Sequence, residues 1–156
     1  MKPHLRLLAD PVHLLALGFG AGLAPKAPGT FGSLVGLAFA LLLAPLGFGI
    51  NVAAVLLVTL AGFWICGASA RRLGVHDHPA IVWDEVTGMM IAMLTVPPTW
   101  LGVAGAFALF RLLDITKPWP IRAIDHGLGG GAGIMLDDVV AGIAVALVFL
   151  LIRSVA

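Results

Sequence analysis

The chain has 156 residues, of which 60% are hydrophobic and only 11% are Asp, Glu, Lys or Arg. Soluble globular domains have roughly 45–50% and about 25% in these classes. The mean hydropathy is +1.08, and a single core of this size cannot absorb so much apolar surface. The composition excludes an ordinary soluble enzyme and predicts one membrane-embedded domain over residues 1–156.

The charge balance excludes further classes of function. Nine basic and eight acidic residues give a net charge of +1, so the chain has no basic stripe for nucleic acid. The single cysteine, Cys66, lies in an apolar run and is expected to be a small buried hydrophobe, so no disulfide framework can form. We therefore expect no nucleic-acid partner, and the sequence leaves a homo-oligomer open.

The first half of the chain predicts an apolar helical hairpin. Residues 12–23 are too short and too rich in glycine for a signal peptide, so no cleaved targeting segment is expected. Ala27–Ala70 contains no formal charge, which is room for two transmembrane helices at roughly 20 residues per crossing. Pro45, Gly47 and Gly49 provide the turn between them.

The second half predicts three further helical segments. The uncharged run Val86–Phe110 is broken by Pro97-Pro98 into two pieces of about a dozen residues, each too short to span a membrane. They reach sufficient length only if the helices extend back to about Pro79 and forward to about Lys117. A last helix is predicted over Ile134–Ile152.

Positive residues orient this bundle, because Lys and Arg are retained on the cytoplasmic side of short loops. Six of them fall at one set of helix ends, whereas the turns at 44–49 and 95–99 carry no charge. The six are Lys26, Arg71, Arg72, Arg111, Lys117 and Arg122. We predict an all-α, membrane-embedded bundle of about five helical segments, with glycine-rich loops facing the cytoplasm.

Five carboxylates are embedded in apolar helical sequence near the same end: Asp84, Glu85, Asp114, Asp137 and Asp138. A charge at the centre of a membrane helix costs on the order of 2.5–3.5 kcal/mol, so such residues are expected to be functional. A divalent cation would hold them together, and ligation by oxygen alone points to Mg²⁺ rather than Zn²⁺. Because adjacent residues on a helix diverge by about 100°, at most one acid of each pair is expected to point straight at a shared ion.

Two glycine clusters could complement the metal with a phosphate site. Residues 29–33 (GTFGS) and 129–133 (GGGAG) each precede an apolar run. Helix N-termini favour anions, and Thr30 could cap the first of these helices. Tight turns or close helix packing explain such glycines equally well.

A basic segment adds two cations. Arg111 and Asp114 share a helix face, and Pro118 ends the helix at Lys117, which would put two cations and a carboxylate in one pocket. The alternative is an interfacial ion pair with Lys117 as a snorkelling anchor. His76-Asp77-His78 could bind metal and Asp125-His126 could be an acid/base pair, although both are more typical of polar loops.

Four segments resemble the signature blocks of the phosphatidylglycerophosphatase A family, in the family's order. They are GTFGSL at 29–34, HPAIVWDEVTG at 78–88, FRLLDITKPWPI at 110–121 and GGAGIMLDDVVAG at 130–142. The resemblance covers over half of the chain between Thr30 and Gly142. The sequence departs from the pattern mainly at residues 123–128 and in the extra glycines at 129–131.

This resemblance implies a Mg²⁺-dependent phosphatase of the bacterial inner membrane that converts phosphatidylglycerophosphate to phosphatidylglycerol and inorganic phosphate. The family's polar positions carry over onto Thr30, Ser33, Asp84, Glu85, Arg111, Asp114, Lys117, Asp137 and Asp138. The expected metal ligands are Asp84, Glu85, Asp137 and Asp138, and the expected catalytic residues are Asp84, Glu85, Asp114 and Asp138. The expected phosphate-binding residues are Gly29, Thr30, Ser33, Arg111, Lys117 and Gly131. Asp114 could orient Arg111, bind metal or act as the nucleophile, and the sequence does not choose among these roles.

Other classes of function stay open at this point. A small transporter would also use intramembrane carboxylates, but it predicts acids near mid-helix and inverted repeats, which the sequence lacks. A CDP-alcohol phosphatidyltransferase would also depend on Mg²⁺, but the spacing of its motif is absent. A non-catalytic membrane subunit would have no reason to gather acids, Arg, Lys and glycines at one end.

Overall fold

The computed structural model describes residues 5–75, 78–119, 121–123 and 128–155. Within these ranges the chain forms six α-helices of six residues or more, a short helical stretch at 121–123, four 3-10 turns and no strand. The helices are α1 (Pro11–Ala16), α2 (Pro28–Leu43), α3 (Phe48–Leu73), α4 (Trp83–Ala92), α5 (Trp100–Thr116) and α6 (Gly130–Val155). The prediction of an all-α bundle with about five main segments is confirmed.

The hairpin of α2 and α3 forms where the uncharged run predicts it. Pro28 is the first residue of α2, where its missing N–H costs nothing and its fixed φ suits a helix. A 3-10 turn over Ala44–Leu46 and Gly47, at φ 94°, reverse the chain. The side-chain amide of Asn51 donates to the carbonyl oxygens of Leu43 and Gly47, at 3.0 and 2.7 Å, and so fastens the turn.

Helix α4 is short and lies in the middle of the bundle. Glycines on its neighbours let backbones approach closely: a Cβ on Gly36 of α2 would lie 2.3 Å from the carbonyl oxygen of Val86. A Cβ on Gly142 of α6 would lie 2.3 Å from the carbonyl oxygen of Gly88. Small residues therefore hold α2 and α6 against opposite sides of α4, as in membrane bundles generally.

The expected extension of α4 back to Pro79 is wrong, because the helix begins only at Trp83. The backbone N–H of Val82 donates to the carbonyl oxygen of Ala16 in α1, at 2.9 Å, instead of entering a helical ladder. With ten residues, α4 is about 15 Å long and is too short to cross a membrane alone. The forward extension of α5 agrees with the prediction, since that helix ends at Thr116.

Three helical segments are long and apolar enough to span a membrane: Pro28–Leu46, Phe48–Leu73 and Gly130–Val155. They carry large apolar side chains on their outer faces, such as Leu57 and Leu151, which are 70% and 66% exposed. In water this surface would be costly, whereas acyl chains cover it. Composition and structure agree on a membrane protein.

The sequence did not predict the N-terminal helix. Asp10 caps α1, its carboxylate accepting from the backbone N–H of Val12 at 2.8 Å, and also forms a 2.5 Å ion pair with Arg72 of α3. Because of the Val12 hydrogen bond first and the Arg72 charge beside it, the pKa of Asp10 lies below its usual 3.8. This segment packs α1 against the end of α3.

Candidate active site

The polar residues converge on one cavity of about 320 Å³ at the end of the bundle where α2, α4 and α6 begin and α5 ends. Its polar lining consists of Asp84, Glu85, Arg111, Asp114, Lys117, Asp137 and Asp138. Polar residues from three helices, α4, α5 and α6, therefore meet at one cavity, and α2 contributes Gly29 to its wall. The sequence placed all seven at this end of the bundle.

Three of the carboxylates form a cluster. Asp84 and Glu85 occupy the first turn of α4, and Asp138 projects from the third turn of α6. One oxygen from each lies within 4.8 Å of the other two. Asp84 Oδ1, Glu85 Oε2 and Asp138 Oδ1 are buried and have no hydrogen-bond partner among the described residues. Buried charged oxygens are expensive without a partner, and these three carboxylates are close enough together to serve as ligands of one cation.

In the first adjacent pair, Asp84 and Glu85, the structure does not select one acid over the other. Both belong to the cluster. The longer side chain of Glu85 compensates for the 100° rotation between neighbours on the helix. In the second pair, Asp138 joins the cluster and Asp137 does not.

Asp137 contacts Lys117 instead. Lys117 Nζ lies 2.6 Å from Asp137 Oδ2, and the Asp137 side chain is only 7% exposed. Lys117 reaches this position from a left-handed backbone conformation, φ 42°, at the end of α5. The following Pro118 disfavours helical backbone at Lys117, which agrees with the predicted end of the helix.

Arg111 sits in a second polar set. Its guanidinium donates to the Asp114 carboxylate one turn along α5 and, at 3.3 Å, to the Ser33 hydroxyl on α2. The Ser33 hydroxyl donates in turn to the carbonyl oxygen of Gly29, at 2.9 Å. Ser33 is fully buried and does not line the cavity, so its contact is with Arg111 and not with the open space.

These contacts divide the charges of the site. Five carboxylates face two cations; Arg111 pairs with Asp114, and Lys117 pairs with Asp137. The three that remain are Asp84, Glu85 and Asp138, the same three that form the cluster. Within the described residues, negative charge is therefore concentrated where the oxygens lie closest.

The first glycine cluster, residues 29–33, lies inside α2, and all of the second cluster except Gly129 lies inside α6. Gly29 lines the cavity, and a Cβ there would lie 2.1 Å from Glu85 Oε1, so the position admits only glycine without displacing Glu85. The prediction that Thr30 caps α2 is wrong: Ala27 holds the cap position and no side chain caps the helix. Thr30 lies inside the first turn and does not line the cavity.

Gly131 also lies away from the cavity. A Cβ there would lie 1.9 Å from the carbonyl oxygen of Phe63 and 3.0 Å from the backbone nitrogen of Gly67, so Gly131 allows α6 to approach α3. The glycine of this cluster that lines the cavity is Gly133. Its position four residues before Asp137, on the same helix face, is the signal that could have identified it.

Sequence reasoning also missed two lining residues ahead of α4, Pro79 and Ile81. His78 accepts a hydrogen bond at Nδ1 from the backbone N–H of Ala80, at 3.1 Å, which fits the polar-loop interpretation. His76, Asp77, Asp125 and His126, the other polar-loop candidates, lie outside the described residues.

Comparison with known proteins gives the family. A family model for phosphatidylglycerophosphatase A matches residues 14–153. The chain belongs to the phosphatidylglycerophosphatase A family. Its match includes every helix from α2 to α5 and all the polar residues of the cavity.

Curated relatives agree. A phosphatidylglycerophosphatase A from Escherichia coli is 47% identical over 137 residues, which cover 87% of this chain and 80% of that protein. One from Haemophilus influenzae is 48% identical over 145 residues, covering 91% and 89%. A Bacteroides thetaiotaomicron protein, provisionally named a phosphatidylinositol-3-phosphatase, is 39% identical over 140 residues, covering 83% and 86%. No solved structure matches the chain. By its family the protein is a phosphatase.

Proposed function

We propose that this protein is a Mg²⁺-dependent phosphatase that hydrolyses phosphatidylglycerophosphate to phosphatidylglycerol and inorganic phosphate. One observation carries the proposal. Three carboxylates, each with a buried oxygen that has no hydrogen-bond partner among the described residues, share a cavity with Arg111 and Lys117, and each of these cations is paired with a different carboxylate at the cavity wall. Hydrolysis of a phosphate monoester uses both a metal ion, which the carboxylates would hold, and cations that neutralise the phosphate oxygens. The names of the relatives from Escherichia coli and Haemophilus influenzae supply the substrate.

The donor set fits a hard divalent cation. Asp84, Glu85 and Asp138 offer oxygen atoms only, within 4.8 Å of one another, and each has a buried oxygen that lacks a hydrogen bond among the described residues. Hard cations such as Mg²⁺ prefer this chemistry. When bound, Mg²⁺ supplies a Lewis acid for the phosphoryl group and favours deprotonation of an attacking water.

The basic residues have a separate task. Arg111 presents a planar guanidinium suited to paired contacts with phosphate oxygens, and Lys117 contributes a compact charge. Both line the cavity and are oriented by carboxylates, Asp114 and Asp137. We assign Asp114 to the orientation of Arg111, because their contact occupies the carboxylate that a nucleophilic role would leave open.

The location of the cavity suits a lipid headgroup. It lies at the ends of α2, α4, α5 and α6 and not halfway along the bundle. In a membrane that the long apolar helices span, a headgroup phosphate at the interface would reach the cavity while the acyl chains stay against the apolar helix faces. Lys26, Arg71 and Arg72 lie at the same end, which supports an orientation toward the cytoplasm in a bacterial inner membrane.

Cysteine labelling tests this orientation. In a Cys66→Ala background, Lys26→Cys and Gly49→Cys place single exposed thiols at opposite ends of the bundle. A membrane-impermeant maleimide should label Gly49→Cys in intact spheroplasts, and Lys26→Cys only after permeabilisation. The reverse pattern would overturn the proposed orientation.

The substrate is tested by phosphate release from the purified protein in mixed micelles. Phosphatidylglycerophosphate, phosphatidic acid, a lysophospholipid phosphate and phosphatidylinositol 3-phosphate are compared, each with Mg²⁺ and with EDTA. We expect phosphatidylglycerophosphate to have the highest kcat/KM and EDTA to abolish turnover. A higher kcat/KM for phosphatidylinositol 3-phosphate would refute the proposed substrate and favour the one in the name of the Bacteroides thetaiotaomicron relative. Turnover unchanged by EDTA would refute the Mg²⁺ dependence.

A further inference from the structure

The N-terminal segment, Pro11–Leu23, packs against residues 80–82, which lead into α4. We call this segment the clasp; it consists of α1 and the 3-10 turn Gly18–Leu23. It supplies no side chain to the catalytic cavity. Its contacts nevertheless reach the backbone next to Asp84 and Glu85.

The contact with the chain ahead of α4 is close. The carbonyl oxygen of Ala16 accepts from the backbone N–H of Val82, the residue that precedes α4, at 2.9 Å. A Cβ on Gly18 would lie 2.9 Å from Val82 Cγ2, and one on Gly22 would lie 1.9 Å from the carbonyl oxygen of Ala80. Gly18 also has φ 54°, so both space and backbone require glycine there.

A buried polar pair anchors the clasp to α3. His13 Nδ1 lies 2.9 Å from the Ser69 hydroxyl, and the two residues are 5% and 0% exposed. The rest of the anchor is apolar, formed by Ala16 and Leu17 in the same core as Ile81 and Trp83. The His13–Ser69 pair therefore fixes the position of α1, and through Ala16 it fixes Val82.

We propose that His13 and Ser69 are positioning residues for the phosphatase reaction: by anchoring the clasp they set where α4 begins, and so where Asp84 and Glu85 point. Asp84 and Glu85 follow Val82 by two and three residues, with no loop between to absorb a shift. The expected effect on phosphatase activity rests on the proposed function. The expected effect on the position and hydrogen exchange of the start of α4 does not.

The test uses the full-length protein in detergent micelles. Ser69→Ala removes the hydrogen bond with almost no change in shape. His13→Asn is the conservative variant, because its amide can occupy the position of Nδ1. The matched control is Thr95→Val, which removes a 2.6 Å hydrogen bond to the carbonyl oxygen of Ala146, another tertiary contact, at the far end of α4.

Two readouts are compared. Hydrogen exchange in the peptide covering residues 80–86 should be about fivefold to tenfold faster in Ser69→Ala and near wild type in His13→Asn and Thr95→Val. In the phosphatase assay, kcat of Ser69→Ala should fall about tenfold or more with KM changed less than about threefold, whereas His13→Asn should keep most of the wild-type kcat.

Three results would overturn the inference: unchanged exchange in Ser69→Ala, faster exchange with unchanged kcat, or equal losses in Ser69→Ala and Thr95→Val. The last would indicate general loosening of the bundle. If the wild-type protein releases no phosphate from any lipid, the proposed function fails, while the exchange measurement still decides whether the clasp holds the start of α4.

Discussion

Lys117 Nζ lies 2.6 Å from Asp137 Oδ2, while the adjacent Asp138 turns to Asp84 and Glu85. Two neighbouring aspartates on one helix thus belong to different parts of the site. Asp137 orients a cation at the cavity wall, and Asp138 contributes to the carboxylate cluster. The two residues should therefore respond differently to the same substitution.

The first prediction concerns the Lys117–Asp137 pair. Lys117→Met removes a charge proposed to contact phosphate and should raise KM about tenfold to a hundredfold. Asp137→Asn keeps the Lys117 charge but removes the carboxylate that orients it, so a smaller rise in KM is expected. Neither variant should change the Mg²⁺ concentration for half-maximal rate by more than about twofold. Loss of the Mg²⁺ response in Asp137→Asn would place Asp137 among the metal ligands instead.

A second prediction concerns the space at Gly29. The Cβ of Gly29→Ala would lie 2.1 Å from Glu85 Oε1 and 3.1 Å from Arg111 Nη1, so both side chains must move. We expect turnover to fall about tenfold or more, because displacements of this size misplace reacting groups.

Gly49→Ala is the matched control for Gly29→Ala. Gly49 lies in the first turn of α3, and a Cβ there would have nothing within 4 Å. Alanine favours a helix over glycine by about 0.8–1.0 kcal/mol, so this variant should keep full activity and equal or greater stability. Equal activity of both variants would show that Glu85 tolerates displacement.

A third prediction concerns pH and Asp10. Its pKa is lowered by the Val12 N–H first and by Arg72 beside it, so its ionised form stabilises the folded state. The stabilisation of the folded state by ionised Asp10 is complete above pH 3.8, the ordinary pKa of the group in the unfolded chain. It is lost as the pH falls through the lowered pKa of the folded state. The Tm difference between wild type and Asp10→Ala should therefore be present at pH 7 and shrink below pH 3.8. A difference that stays constant down to low pH would show that Asp10 acts without its charge.

Sequence reasoning predicted the parts of the fold that depend on hydrophobic length. The hairpin of α2 and α3 follows from the uncharged run and from Pro28, and the turn at Gly47 follows from its glycine. The last helix is predicted over Ile134–Ile152, whereas α6 spans Gly130–Val155 and so begins four residues earlier, among the glycines. Sequence reasoning could not predict where α4 begins, because the Val82 N–H is taken by Ala16, a residue 66 positions earlier. A long-range backbone contact of this kind leaves no local pattern.

For the candidate site, too, the sequence predicted the members but not the long-range contacts between them. Residue type alone indicated which carboxylates and cations belong to it, since charges in apolar helices are functional. Which of these residues contact one another could not be predicted from the sequence, because the partners lie on different helices, as Lys117 and Asp137 do and as Arg111 and Ser33 do. The role of Gly131 was also hidden, because turn, anion-binding and helix-packing glycines look alike in sequence, and only the contact with Phe63 distinguishes them.

The central claim is that Asp84, Glu85 and Asp138 hold the cation on which phosphate release depends. The most direct measurement is the Mg²⁺ dependence of phosphate release from phosphatidylglycerophosphate by Asp84→Asn and Asp138→Asn, together with Mn²⁺ binding to each purified variant by electron paramagnetic resonance. Asp10→Asn is the control, because it makes the same chemical change at an exposed ion pair, and Asn also caps helices. We predict that both cluster variants lose Mn²⁺ binding and Mg²⁺-dependent turnover while still folding in the membrane, and that Asp10→Asn stays within about twofold of wild type. Wild-type turnover and Mn²⁺ binding in both cluster variants would contradict the account.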